Sequence, residues 1–358
     1  MKEIYMLEVQ QPIGTFYVGK MRAQDIISIS TVSRRKGEKG HQRQLREKRA
    51  KEIALYCNDP DATFPTPIIL SVDDEDFANK GCPIPGISCF EYDENKQFAE
   101  ILDGQHRMAG ISQSGGFEYE LPVIIMFSLR EEQKGYVFST INGNQAKVDR
   151  SLIYDLFDLN ETRSPYKTCH HLARIMNADE KSPFYRRLKM LEKREDRFET
   201  ISQSTFVTNL CDYLISKTPQ EDEINEKRNK PLIDNRKLPL RKYFIQNKDD
   251  VILRILMNYF SAAAAVFSAE WNSPNKYILT KSVGFEGMIS ALTVLIPAGE
   301  SIGDLSQEHF FKIFTKFKEQ LRESGIELTS QEFSSSSQNA NKLSKLIIQA
   351  NQALFGSI

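Results

Sequence analysis

The sequence predicts an α+β chain, with an α/β domain over residues 1–150 followed by a mainly helical domain over residues 151–358. Two observations carry this expectation. Up to about residue 150, short apolar runs of strand length alternate with helical stretches and are bounded by Gly, Pro and acidic turns. From Val148 onward, apolar residues recur at helical spacing in segment after segment. A chain of 358 residues is long enough for two ordinary domains, each with a buried core.

The elements follow in order. IYMLEV (Ile4 to Val9) and TFYVGKM (Thr15 to Met21) read as strands around a Gln-Pro-Ile-Gly turn, an opening hairpin. A basic loop comes next, then a helix in QRQLREKRAKEIALYC with Leu45, Ile53 and Leu55 on one side. Pro65 and Pro67 lie in the connection to a short apolar strand, Thr66 to Val72. DDEDFANKGCPIPG reads as a loop. Lys96 to Asp103 is a further strand, GQHRMAGISQSG a short helix ended by Gly115 and Gly116, and Glu120 to Leu129 a core strand. EEQKGYVFSTINGNQ starts as a helix and breaks at Ile-Asn-Gly-Asn. In the second domain, Thr218 to Lys237 lacks an apolar face and reads as a long loop or mobile insertion.

Composition removes several function classes. The net charge of −1 gives no global attraction for nucleic acid or membrane, so any such attraction must come from a local patch. Cys57, Cys82, Cys89, Cys169 and Cys211 are odd in number and lack C-x-x-C spacing. Neither a disulfide framework nor a zinc knuckle follows, and a reducing cytoplasm is expected. The first residues lack the apolar run of a signal peptide, and no window approaches the roughly 20 apolar residues of a membrane span. No G-x-x-x-x-G-K-[ST] occurs, which excludes a P-loop ATPase. Cys169-His170-His171 reads as a surface histidine pair, because adjacent residues point to different helix faces.

The stretch ILDGQHRMAG (Ile101 to Gly110) concentrates chemistry. Asp103 ends a strand and Gly104 opens a helix, and the first amides of a helix have no carbonyl a turn earlier. A strand, a glycine turn and a helix N-terminus make a ready anion site. Gly104 lets a ligand approach the backbone, Gln105 offers a neutral donor and acceptor, and His106 can donate to a phosphate oxygen or carry a proton. Arg107 adds a planar fork for two phosphate oxygens. Asp103 caps the helix, orients Arg107 or His106, or helps hold a divalent metal. The plain alternative is an Asp103–Arg107 ion pair with His106 in a half-buried slot.

D-G-Q-H-R, with a strand before it and a helix after it, resembles the signature of the DGQHR-domain family. That family is similar to the DNA sulfur-modification protein DndB and to the ParB-like protein DpdB, within the ParB/sulfiredoxin-like superfamily. REKRAKEIALYCNDPDATFPTPIILSV upstream and FSTINGNQAKVDRSLIYDL downstream resemble the flanks of the same motif, so the likeness covers roughly residues 30 to 156. It implies a ParB/sulfiredoxin-like N-terminal domain with Gly104, His106 and Arg107 at a nucleotide-phosphate position. In sulfiredoxin the comparable turn reads Gly-Cys-His-Arg. Gln105 stands here in place of the reactive cysteine, which excludes sulfinic-acid reduction. The full arginine-rich pattern of the ParB CTP motif is absent too.

Two further clusters bear on partners. Ser33 to Lys51 is heavily cationic with only Glu38 and Glu47 opposing, and Arg34, Arg35, Lys36, Arg43 and Arg46 are its candidate phosphate contacts. Asn142, Asn144 and Gln145 are residue types that read base edges, and N-G-N is equally a turn composition. The expectation is therefore a cytoplasmic protein of a DNA-modification or defence system. It binds a nucleoside triphosphate at Gly104, Gln105 and Arg107 with Mg²⁺ at Asp103, has Asp103, His106 and Arg107 as candidate catalytic residues, and contacts DNA. Its partners are other proteins of that system and, as a homo-oligomer, further copies of itself. Slow nucleotide hydrolysis of an ATPase-like kind stays open. So do the alternatives, a non-catalytic DNA-binding transcriptional regulator of a modification operon and a structural adaptor.

Overall fold

A hairpin opens the chain, as the alternation of its first residues predicts: β1 (Lys2–Gln11) turns through Gly14 into β2 (Gly14–Arg22), antiparallel, with Leu7 opposite Val18. The computed structural model describes residues 1–31, 47–114, 119–143, 162–190 and 196–356. These fall into two compact units, Met1–Lys147 and Val148–Ile358. Helix outweighs strand, 50% to 17%, and the two are mixed in the first unit, so the fold class is α+β.

The first unit is built on one curled, eight-stranded sheet. After β2 come α1 (Ala23–Ile29), β3 (Ser30–Thr31), α2 (Glu47–Tyr56), β4 (Ile68–Val72), β5 (Phe77–Asn79), β6 (Ile87–Tyr92), β7 (Ala99–Asp103), α3 (Gln105–Gln113), β8 (Glu120–Phe127) and α4 (Glu131–Gly143). The spatial order is β3-β7-β4-β8-β2-β1-β6-β5. Within this sheet, among the described residues, β3–β7 and β4–β8 pair in parallel and the other neighbours are antiparallel. The sheet is thus not the parallel sheet of a doubly wound α/β domain, and the rule that ligands gather at the carboxyl ends of parallel strands loses its force here.

β4 and β8 lie at the centre, and their sequences, IILSV and ELPVIIMF, are nearly continuous apolar runs. Ile68, Leu70, Ile101, Val123 and Ile125 join Ile26 and Ile29 of α1 and Met108 and Ile111 of α3 in the core. Three elements depart from the sequence expectation. Ala23–Ile29, read as the start of a loop, is a helix because Ala23, Ile26 and Ile29 bury one face. Phe77–Asn79, read as loop, is a strand because Phe77 stacks on Tyr92 of β6 at 5.1 Å. β6 itself was not anticipated; it carries buried Cys89, Phe90 and Tyr92.

The second unit is mainly helical. Its longest helices are α9 (Asp249–Val266), α11 (Ser282–Ser301), α12 (Gln307–Glu323) and α13 (Ser337–Phe355), preceded by α5 (Pro165–Ala178), α6 (Gln203–Leu210), α7 (Pro219–Lys227) and α8 (Arg241–Ile245), with α10 (Ser268–Trp271) between α9 and α11. Serine hydroxyls cap α5, α6, α12 and α13, each accepting from an amide three residues on. Phe184, Phe206, Phe260 and Phe285 form an aromatic centre.

Three expectations for this unit need correction. Thr218 to Lys237 is not a featureless loop: α7 occupies Pro219–Lys227, and its Asp222 is buried because Arg241 grips it with two bonds of 2.7 and 2.8 Å. His170 is not on the surface; it is fully buried on α5 while His171 is exposed. Ser282–Ser301 is long and apolar enough to cross a membrane by composition, contrary to the expectation that no segment is. Of its most apolar window, 67% is buried inside the unit, as for a core helix.

Candidate functional site

The Asp103–Arg107 turn stands where an apolar strand hands over to a helix. Ile101 and Leu102 bury the end of β7, and Asp103 pairs with Ile69 at the start of antiparallel β4. Between Ile69 and Leu70 the register slips, with Leu70 facing Ile101, so β7 holds one extra residue at Leu102. That bulge bends the strand end and re-aims Asp103. Gly104 then turns the chain with φ +101°, left-handed backbone that an L side chain resists. A Cβ there would also lie 2.4 Å from Ile68 Cδ1. Both conditions call for glycine, and α3 starts at the next residue.

Arg107 lies in the first turn of α3, and its fork is taken up by the chain. Nη2 donates to Asp103 Oδ2 at 2.9 Å and to the Pro67 carbonyl at 2.9 Å. Nη1 donates to Thr66 Oγ1 at 2.8 Å and to the Thr66 carbonyl. Pro65 and Pro67 lack N–H groups, and the carbonyls before β4 find their donor in Arg107. Antiparallel pairing of β4 with β7 brings Thr66 and Pro67 alongside the turn. Thr66 and Pro67 are the residues that sequence reasoning missed. The signal was a proline pair just before a central strand.

The electrostatics follow from this packing. The Arg107 side chain is 17% exposed and that of Asp103 28%. Burial lowers the proton affinity of Arg107, Asp103 opposes that, and the nearby positive charge of Arg49 on α2 adds to it. Arg107 nevertheless stays charged at any ordinary pH. Asp103 pairs with Arg107 and caps no amide of α3. Gln105 turns its amide back to donate to the Ile101 carbonyl at 3.1 Å, and His106 is half-buried beside it.

The structure thus brings Asp103, Gly104, Gln105, His106 and Arg107 together in one turn. Arg34, Arg35, Lys36, Arg43, Arg46, Asn144 and Gln145 lie outside the described residues. Asn142 belongs to α4, with its side chain outside the description. No group of three or more His, Cys, Asp or Glu side chains among the described residues could hold a metal ion. Asp103 is engaged with Arg107, so Mg²⁺ does not fit Asp103 as it is arranged. What the turn offers chemically is the start of α3, whose backbone amides and dipole favour an anion, with the Arg107 guanidinium in the same first turn.

No curated protein and no solved structure matches the chain. A sequence model of the DndB family, described as DNA-sulfur modification-associated, matches residues 5–301, which takes in the sheet unit and much of the helical one. The chain belongs to the DndB family of DNA-sulfur modification-associated proteins.

Proposed function

We propose that this DndB-family chain serves its DNA-modification system by receiving a phosphate group at the Asp103–Arg107 turn while contacting DNA. A nucleoside triphosphate is the ligand assigned to the turn. The observation that carries the reading is Gly104. A left-handed glycine, closely packed against Ile68, sets the start of α3 at the end of a buried strand. A helix start of this kind offers backbone amides and a positive field to phosphate oxygens. The ParB/sulfiredoxin-like assignment belongs to the same proposal, supported by the order of strand, glycine turn and helix. Mg²⁺ accompanying the triphosphate is left to phosphate oxygens and water.

A second reading is favoured by a specific observation. Arg107 spends its fork on Thr66, Pro67 and Asp103, and Asp103 spends its carboxylate on Arg107. Neither stands open to assist hydrolysis. This suits a non-catalytic DNA-binding transcriptional regulator of a modification operon, with the turn clasping a DNA phosphate.

The test is binding and hydrolysis of ATP, GTP and CTP by the purified chain, with and without DNA, alongside operator-fragment binding without nucleotide. Saturable triphosphate binding supports the first reading, and turnover would make the chain an NTPase. Salt-sensitive DNA binding with no triphosphate bound by any measure would replace it with the second.

A further inference from the structure

We propose that the loop from Arg228 to Lys237, between α7 and α8, is a DNA-contacting arm of the helical unit. Its cations meet backbone phosphates on either side of Ile233, and the isoleucine meets the groove between them. This deepens the reading that the chain contacts DNA and rests on it. The chain has a net charge of −1, yet these ten residues carry four cations, Arg228, Lys230, Arg236 and Lys237, against one acid, Asp234.

The cations flanking the loop are matched by acids. Lys227 pairs with Glu223 at 3.7 Å, Arg241 with Asp222 at 2.7 Å and Lys242 with Glu300 at 2.6 Å. The four within the loop are exposed and form no ion pair among the described residues. The dipole of α7 favours a cation at its end, which accounts for Arg228. Lys230, Arg236 and Lys237 have no such reason in the fold.

Ile233 is 83% exposed, the most exposed large apolar side chain among the described residues. Its backbone is fixed from beneath. Arg241 Nε donates to the Ile233 carbonyl at 2.6 Å, while Nη1 and Nη2 hold Asp222 and Nη1 also reaches the Ile215 carbonyl. That guanidinium and its carboxylate partner are buried. At the loop entry the Lys230 amide donates to the Asn225 carbonyl at 2.8 Å. At the exit the Lys237 amide donates to Asn235 Oδ1 at 3.1 Å. A single exposed apolar side chain is ordinary on a surface. One anchored by a buried guanidinium and flanked by unmatched cations presents a pattern of cation, apolar group, cation. A duplex presents the complement, a groove of sugar and base edges between two rows of phosphates. Those phosphates reward unmatched cations through counterion release. Membership in a DNA-sulfur modification-associated family selects DNA over other anionic partners.

The experiment uses full chains: wild type, Arg236→Gln/Lys237→Gln, Ile233→Ala, and Arg322→Gln/Lys345→Gln as a two-charge control at exposed positions of α12 and α13. Each is titrated with a labelled DNA duplex at several salt concentrations and, separately, with vesicles containing phosphatidylserine. Losing two phosphate contacts is expected to weaken duplex binding about tenfold or more near ~0.1 M salt and to make the log–log salt slope shallower by about 1.8. Ile233→Ala should weaken binding severalfold with the slope unchanged, because an apolar contact releases no counterion. Melting temperatures should agree throughout, since none of the exchanged side chains has an ion pair to lose. A loss in the charge variant alone keeps the phosphate contacts and removes the groove contact of Ile233. Duplex binding within about twofold of wild type in both loop variants, or an equal loss in the control, overturns this inference and leaves the DNA reading standing. Vesicle binding that falls in the loop variants while duplex binding holds overturns it too, in favour of a lipid surface. If wild type binds no duplex, the DNA reading fails and the inference fails with it.

Discussion

Replacing Gly104 by alanine tests the geometry of the turn at its tightest point. Two costs add. The backbone at φ +101° is unfavourable for an L residue by about 1–2 kcal/mol. The new methyl would sit 2.4 Å from Ile68 Cδ1, more than 1 Å inside the ~3.5 Å of carbon–carbon contact. Ile68 is fully buried in central β4. Overpacking of this kind costs about 1–3 kcal/mol. Loss of glycine's freedom in the unfolded chain returns about 0.4–1 kcal/mol. The net expectation is a loss of about 1.5–4 kcal/mol, a large share of the 5–15 kcal/mol typical of a domain.

Trp271, the only tryptophan, lies in the helical unit, so fluorescence would report the wrong region. Hydrogen exchange of peptides covering β4, β7 and α3 in the full chain, followed through a urea series, reads the right one. Ile68→Val provides the control. It removes Cδ1 at a cost of about 0.5–1.5 kcal/mol alone, yet should recover stability in the Gly104→Ala background. A coupling of about 1–2 kcal/mol between the two sites is expected. Gly104→Ala within 0.5 kcal/mol of wild type, or strict additivity with Ile68→Val, refutes the account (both bounds are about the size of neutral surface changes).

Asp222→Ala strips the bidentate partner from buried Arg241 and should cost about 3–5 kcal/mol by urea unfolding; a change near zero would show that Arg241 re-solvates freely. Burial lowers the proton affinity of His309 below its ordinary range, Lys312 adds to that and Asp304 opposes it. The unfolded chain therefore takes the proton first as pH falls. The contribution of His309 is complete above about pH 6.5 and is lost as pH drops from there through the depressed folded value. Melting curves from pH 8 to about 5 should converge between wild type and His309→Gln as pH falls, and parallel curves would remove the effect. Tyr259→Phe deletes a buried hydroxyl that donates to the Met288 carbonyl at 3.0 Å, for an expected loss of about 1 kcal/mol in thermal unfolding. An unchanged melting temperature would show the carbonyl finding another donor.

Much of the candidate site was legible because its determinants are local. An apolar strand, one glycine and a short helix lie within Ile101 to Gly110, and their order alone places Asp103 at a strand end. What occupies Arg107 was not legible. Thr66 and Pro67 lie 41 and 40 positions away, and antiparallel pairing of β4 with β7, which no single segment announces, brings them in. The same reason hid α7. Ile224 is its one buried apolar residue, and Asp222 is explained by Arg241, 19 positions on. β6 was passed over because ISCFEY mixes polar and apolar residues without strict alternation. Its burial comes from lying between β1 and β5.

The strand order also sets a timetable. The β1–β2 hairpin closes locally, but β4 touches the hairpin only through β8, which pairs with β2 on one side and β4 on the other. Lys20 meets Glu120 across 100 positions of chain. Such distant closures are slow compared with hairpins and helices. Without β8, the strands form two separate hydrogen-bonded runs, β2-β1-β6-β5 and β3-β7-β4, and the Asp103–Arg107 turn belongs to the second. β8 joins the two runs, so the sheet of this unit closes only with its last strand.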